Sequence, residues 1–161
     1  MMTVRRASAE DAQTIGDLAK QIWPVCYAHI ITQDQIAFML AEGYSDEALT
    51  AQMKAGQTFF ILEDDGQPLG FASLSAESAD VYKLNKLYVH QQLHGKGAGK
   101  MLIQTAEAYA KGNCAKHLIL NVNRNNQAQH FYHKMGFTIV EEVNIDYHGY
   151  VLDDYVMAKN L

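Results

Sequence analysis

The chain opens on a short alternating run, "TVRRAS" (Thr3 to Ser8), which predicts a first strand. Apolar residues then recur at helical spacing through "AEDAQTIGDLAKQIW". Ser8 stands where an N-cap hydroxyl belongs, with Glu10 and Asp11 in the first turn. "TQDQIAFMLAE" places Gln35 three residues after Thr32, a capping-box pattern that opens a second helix. "SDEALTAQMKAG" repeats the grammar from Ser45 to a stop at Gly56.

Strand patterns follow. "TFFILED" and "PLGFASLSAE" flank "DDGQ", a hairpin turn signal. "ADVYKLNKLYVH" alternates at Val81, Lys83 and Asn85 before a denser apolar end. A glycine-rich turn then feeds a helix with Met101, Leu102, Ala106 and Tyr109 on one face. "HLILNV" reads as a buried strand, and "NNQAQHFYHKM" as a short helix stopped at Gly136. "GFTIVEEVNIDY" and "YVLDDYVMAK" make a final pair of strands. The order of segments predicts an α/β fold, a mixed sheet of about seven strands with helices on both faces.

Composition narrows the function classes. At 161 residues, 48% hydrophobic and 19% charged, the chain is expected to form one globular domain over residues 1–161. Thirteen Lys and Arg against eighteen Asp and Glu give a net charge of −5, with no basic cluster, which argues against nucleic acid as a partner. Cys26 and Cys114 lie far apart, and His90, His94, His130 and His133 form no ligand pattern, so neither disulfide nor metal is expected. No cationic leader and no apolar run of membrane-spanning length appear, so a cytoplasmic location away from the membrane is expected.

The glycine turn carries the first chemical signal. "HGKGAGK" sets three glycines in five positions at the mouth of a helix. A P-loop would need Gly where His94 stands and Ser or Thr where Met101 stands. A dinucleotide fingerprint needs Gly-x-Gly-x-x-Gly, which Gly95, Gly97 and Gly99 do not give. Bare backbone N–H groups at a helix N-terminus still suit a pyrophosphate. A tight strand-to-helix turn that binds nothing would give the same pattern.

Two segments together are more specific. "LYVHQQLHGKGAGKMLI" and, about 25 residues later, "LILNVNRNNQAQHFYHKMGF" resemble the signature segments of the GNAT superfamily of acyl-CoA-dependent N-acetyltransferases. In the second, Asn125, Ala128, Phe131, Tyr132, Gly136 and Phe137 complete the family's pattern. The resemblance spans essentially the whole chain and implies the GNAT fold with acetyl-CoA as co-substrate. It implies cofactor contacts from Leu87, Tyr88 and Val89 at the end of the fourth strand. It extends them to His94, Gly95, Lys96 and Gly97 in the turn, and to Ala98, Gly99 and Lys100 at the helix start. Asn125 is implied as a partner of the pantetheine arm or of the helix start.

Catalytic roles implied by the same resemblance fall on the Val89 amide, as oxyanion donor, and on Tyr132, as the acid that protonates the departing thiolate. Two departures from the family pattern stand out. His94 replaces the usual Gln or Arg before the first glycine, and its N–H remains a potential donor. No Glu occupies the fourth strand, which offers Lys83, Asn85 and Lys86 instead, so Glu77, Asp80 or a water chain is left to take the amine's proton.

"IWPVCYAHI", "YKLNKLYV" and "DDYVMAK" are similar to the polyamine (spermidine/spermine) acetyltransferase branch. This implies a small-molecule amine acceptor. Trp23, Tyr27, Asn85, Asp153 and Asp154 are its candidate contacts, with Tyr44 and Asp146 nearby in pattern. Trp23 and Tyr27 at helical spacing serve a core equally well. A protein-lysine or N-terminal acetyltransferase and a non-catalytic acyl-CoA sensor remain as alternatives, and a homodimer is left open.

Overall fold

"TFFIL" lacks polar alternation, and a strand of that composition must be covered on both faces. In the computed structural model, which describes residues 1–161, it begins β2 (Thr58–Asp64), whose first five residues are buried. Phe59 and Ile61 pack into one apolar cluster, with α1 (Ala12–Cys26), α2 (Gln33–Gly43) and α3 (Asp46–Lys54). Phe60 and Leu62 pack into another, under α4 (Ala98–Gly112).

The remaining strands are β1 (Met2–Arg6), β3 (Gln67–Ala76), β4 (Val81–Val89), β5 (His117–Asn123), β6 (Thr138–Tyr147) and β7 (Tyr150–Asn160). They form one seven-stranded sheet in the order β1-β2-β3-β4-β5-β7-β6. Only β4 and β5 run parallel. The short helix α5 (Ala128–Lys134) follows β5. Asp65 and Gly66 both take positive φ, as the two-residue hairpin turn between β2 and β3 requires.

The first helix differs from expectation at both ends. Ala9–Asp11 form a tighter 3₁₀ turn, and the Asp11 carboxylate accepts the Ser8 N–H at 2.8 Å, so the α-helix begins only at Ala12. It also runs through Pro24 to Cys26. Proline there removes one hydrogen bond in the last turn, while Ile22 and Trp23 beside it are buried.

Two irregularities shape the middle of the sheet. Leu84 pairs with Leu74 and Lys86 with Ser73, so Asn85 is an extra residue on β4, a bulge. Tyr82 and Leu84 before it, and Leu87 and Val89 after it, all join the cluster under α4. The bulge thereby reverses the alternation and turns Lys86 and Tyr88 toward α1–α3. The second irregularity is short pairing. β4 meets β5 only from Val81 to Leu84, against His117 to Leu120. Beyond that, β4 stays with β3 as far as Val89 and β5 stays with β7 as far as Asn123. The two strands therefore part into a wedge.

Candidate active site

Two cavities occupy the wedge. The first, about 640 Å³, runs from the glycine turn and the start of α4 to α5, along Leu87, Tyr88 and Val89. Gly95 and Gly97 adopt φ of +78° and +83°, which side-chain-bearing residues resist, and Gly97 caps α4. No backbone carbonyl takes the N–H of Gly95, Gly97, Ala98, Gly99 or Lys100. All five residues line this cavity. Uncovered N–H groups at the positive end of a helix form a cradle for a phosphate group.

His94 and Lys96 do not join that cradle. The His94 N–H is held by the Gln91 carbonyl at 3.1 Å, and the Lys96 N–H by Leu93 at 3.1 Å. The expectation that His94 offers its backbone donor is thereby corrected. Its ring lines the cavity instead, with Nε2 at 3.2 Å from the Val89 carbonyl. Lys96 is exposed and outside the lining.

Val89 occupies the point where the strands have separated. The His90 N–H reaches the Leu69 carbonyl on β3 at 2.7 Å. Successive residues of a strand alternate their hydrogen-bonding sides, so the Val89 N–H faces away from β3, into the wedge.

The second cavity, about 380 Å³, lies on the α1–α3 side of the sheet. Both cavities are bounded by Cys26, Leu87, Tyr88, Asn126, Ala128 and Tyr132, and so they meet there. Tyr132 is 8% exposed, and burial pushes its phenol above the ordinary tyrosine range. It therefore stays protonated at neutral pH and is available as a proton donor. Burial likewise raises the Cys26 thiol, which disfavours the thiolate.

Aromatic side chains form one wall. The Tyr27 and Tyr88 hydroxyls share a hydrogen bond of 2.8 Å, and the Trp23 ring lies 4.6 Å from Tyr27 and 5.5 Å from Tyr44. At the other end, Phe38 of α2 packs against Tyr147 and Tyr150, bridging the helices to the β6–β7 hairpin.

Of the residues expected at the acceptor, Trp23, Tyr27, Asn85 and Asp154 line this cavity. Asp153 does not. Alternation along β7 puts it on the opposite face, where its carboxylate meets Arg124 at 2.9 Å. Asp146 lies outside too, accepting the Gly149 N–H in the β6–β7 turn. Glu77 and Asp80 are exposed in the β3–β4 connection and line neither cavity. Asn125 is exposed as well, and the helix-start position passes to Asn126, whose Oδ1 accepts the Ala128 N–H at 2.9 Å. The polar lining residues outside the expected set include Gln35, known only as part of a capping pattern, and Lys86, whose orientation depends on the bulge.

A family model described as an acetyltransferase (GNAT) domain matches residues 27–157. The chain is 29% identical over 150 residues to a spermidine N(1)-acetyltransferase of Thermoplasma acidophilum, covering 89% of this chain and 92% of that protein. It is 31% identical over 149 residues to a peptidyl-lysine N-acetyltransferase of Salmonella typhimurium, covering 91% and 90%. The crystal structure of the PaiA N-acetyltransferase from Thermoplasma acidophilum in complex with coenzyme A superposes with a TM-score of 0.85. Identity there is 28%, over 100% of this chain and 99% of that one. No helix is long and apolar enough to cross a membrane. The wedge, the uncovered N–H groups and these matches agree: the chain belongs to the GNAT family and is an N-acetyltransferase that takes acetyl-CoA as co-substrate.

Proposed function

We propose that the first cavity holds acetyl-CoA, that a small primary amine enters through the second, and that the acetyl group passes directly between them at Tyr132. The observation that carries this reading is the meeting of the two cavities at Tyr132 and Tyr88, beside the open end of β4.

Each residue then has a task. The N–H groups of Gly95, Gly97, Ala98, Gly99 and Lys100 bind the pyrophosphate. The Val89 N–H donates to the thioester oxygen as negative charge develops on it, and a fixed donor in a dry site favours that charge. The aromatic wall excludes water and gives an amine apolar faces to rest on. As the C–N bond forms and the C–S bond breaks, the Tyr132 hydroxyl gives its proton to the departing thiolate and is reprotonated by the proton that the new amide nitrogen sheds. The proton that the ammonium must lose before it can attack leaves to solvent. A Cys26 relay is disfavoured, because a thiol kept protonated is a poor nucleophile.

A polyamine such as spermidine is a second reading. It is favoured by the Asp154 carboxylate on the cavity wall and by the Thermoplasma relative's name. Free-thiol release from acetyl-CoA tests both, with spermidine, a simple alkylamine, a free amino acid and a blocked lysine peptide as acceptors. Release with a free amine and not with the peptide is expected. Binding of coenzyme A without thiol release in any arm would leave a sensor and overturn the proposal.

A further inference from the structure

Transfer to a simple amine leaves one feature of the second cavity unused. Lys86 lines it, turned there by the bulge at Asn85. Its Nζ stands 5.4 Å from the Tyr44 ring centroid and 5.5 Å from that of Phe59. Its one hydrogen-bond acceptor is Gln57 Oε1, at a long 3.4 Å. An ammonium has three donors to satisfy, and none here reaches a carboxylate. Burial with no compensating anion pulls its pKa down to about 8.

Trp23 is a second, independent sign. Its indole Nε1–H is buried and has no hydrogen-bond partner within the protein, on a residue that is 5% exposed and lines the same cavity. Buried N–H donors are almost always partnered, so an unpartnered one beside a cavity points to a ligand.

The distribution of charge says which ligand. The cavity has one carboxylate, Asp154 on β7, and one ammonium, Lys86 on β4. A polyamine would bring a second cation against Lys86 in a space with little water to screen it. An amine that also carries an anion would meet a partner at each end.

Resting on the reading of this cavity as the acceptor site, we propose that the acceptor amine also bears a carboxylate and that Lys86 receives it. The substrate class is an amino acid or short amino-carboxylate. The Trp23 indole N–H is a further donor for that end, and Asp154 and the junction at Tyr132 are left for the amine.

The test compares each amino-carboxylate with the same amine lacking the carboxylate: phenylalanine with phenethylamine, lysine with cadaverine, γ-aminobutyrate with propylamine. Thiol release from acetyl-CoA is followed in the parent, Lys86→Met and Lys86→Arg. For at least one pair, the carboxylate-bearing member is expected to show a kcat/KM roughly ten-fold or more higher, the scale of one charge-assisted contact. Lys86→Met should abolish that preference, Lys86→Arg should keep much of it, and the KM for acetyl-CoA should stay put. Equal or better turnover of the carboxylate-free amines in every pair would overturn the proposal. So would an equal loss on both members in Lys86→Met, which would give Lys86 a packing or proton-transfer role. Absence of transfer to any amine, by a protein that binds coenzyme A, would overturn the acetyl-transfer reading and this one with it.

Discussion

Gly99 lies beneath the ring of Phe131: a Cβ built on it would meet Phe131 Cζ at 3.2 Å. Gly97, two residues earlier, has open space around it and φ of +83°. The two glycines of one motif are thus required for different reasons. Gly97 sets the turn, and Gly99 lets α5 approach α4.

Gly97→Val should therefore weaken coenzyme A binding by roughly ten-fold or more, because a β-branched residue resists the left-handed region and disturbs the N–H cradle. Gly99→Ala should act through Phe131, with a smaller loss of affinity and a lower melting temperature. Titration calorimetry and thermal unfolding of both variants check this. Wild-type affinity in a folded Gly97→Val protein would remove the pyrophosphate assignment.

Tyr132→Phe removes one oxygen from a buried ring packed between Phe131 and Phe137. Packing should survive while kcat falls about 100-fold, the scale of lost general-acid help, with the KM for acetyl-CoA little changed. Turnover at the parent rate would make Tyr132 a packing residue.

Lys86 gives a pH signature in stability. Its pKa is lowered from the ordinary 10.5 to about 8, so between those values the unfolded chain binds more protons than the folded one. Stability then rises with pH across that window. Tyr44 and Tyr88, which face α1–α3 with it, are themselves raised by burial and stay neutral for most of that range. Lys86→Met should melt higher than the parent at pH 7, and the difference should shrink between pH 8 and pH 10. A constant difference would mean that the ammonium is solvated.

Asp153 and Asp154 are neighbours in sequence with separate surroundings. Asp154→Asn should raise the KM for the amine several-fold, since it removes the cavity's carboxylate. Asp153→Asn should leave that KM alone and slightly lower the melting temperature by freeing Arg124. Equal effects of the two substitutions on the amine KM would contradict the cavity assignment.

The glycine turn, the short helix with Tyr132 and the individual strands were legible in the sequence, because each is written in a local pattern: glycines, helical spacing or alternation. Lys86 was not. Its orientation depends on where β4 slips against β3, and no residue type marks Asn85 as a bulge. Asp153 misled for a related reason. Two adjacent carboxylates must point to opposite faces of a strand, and only the position of β7 in the sheet decides which one meets the cavity. The Asn125/Asn126 exchange is a one-residue shift in an Asn-rich turn, where either side chain can cap the helix.

The parting of β4 from β5 leaves the inward backbone groups of Leu87 and Val89 without a neighbouring strand. In effect the sheet is an arch with its keystone held in solution. A pantetheine arm lying along β4 would supply the missing neighbour, so the donor is also a structural part. The fold should then be measurably looser when empty and stiffen on loading. Melting temperature should climb with the logarithm of coenzyme A concentration, by a stabilisation of about 2.7 kcal/mol at a hundred times the Kd. Amide exchange should slow on β4 and β5 together, although they share hydrogen bonds over only half their length.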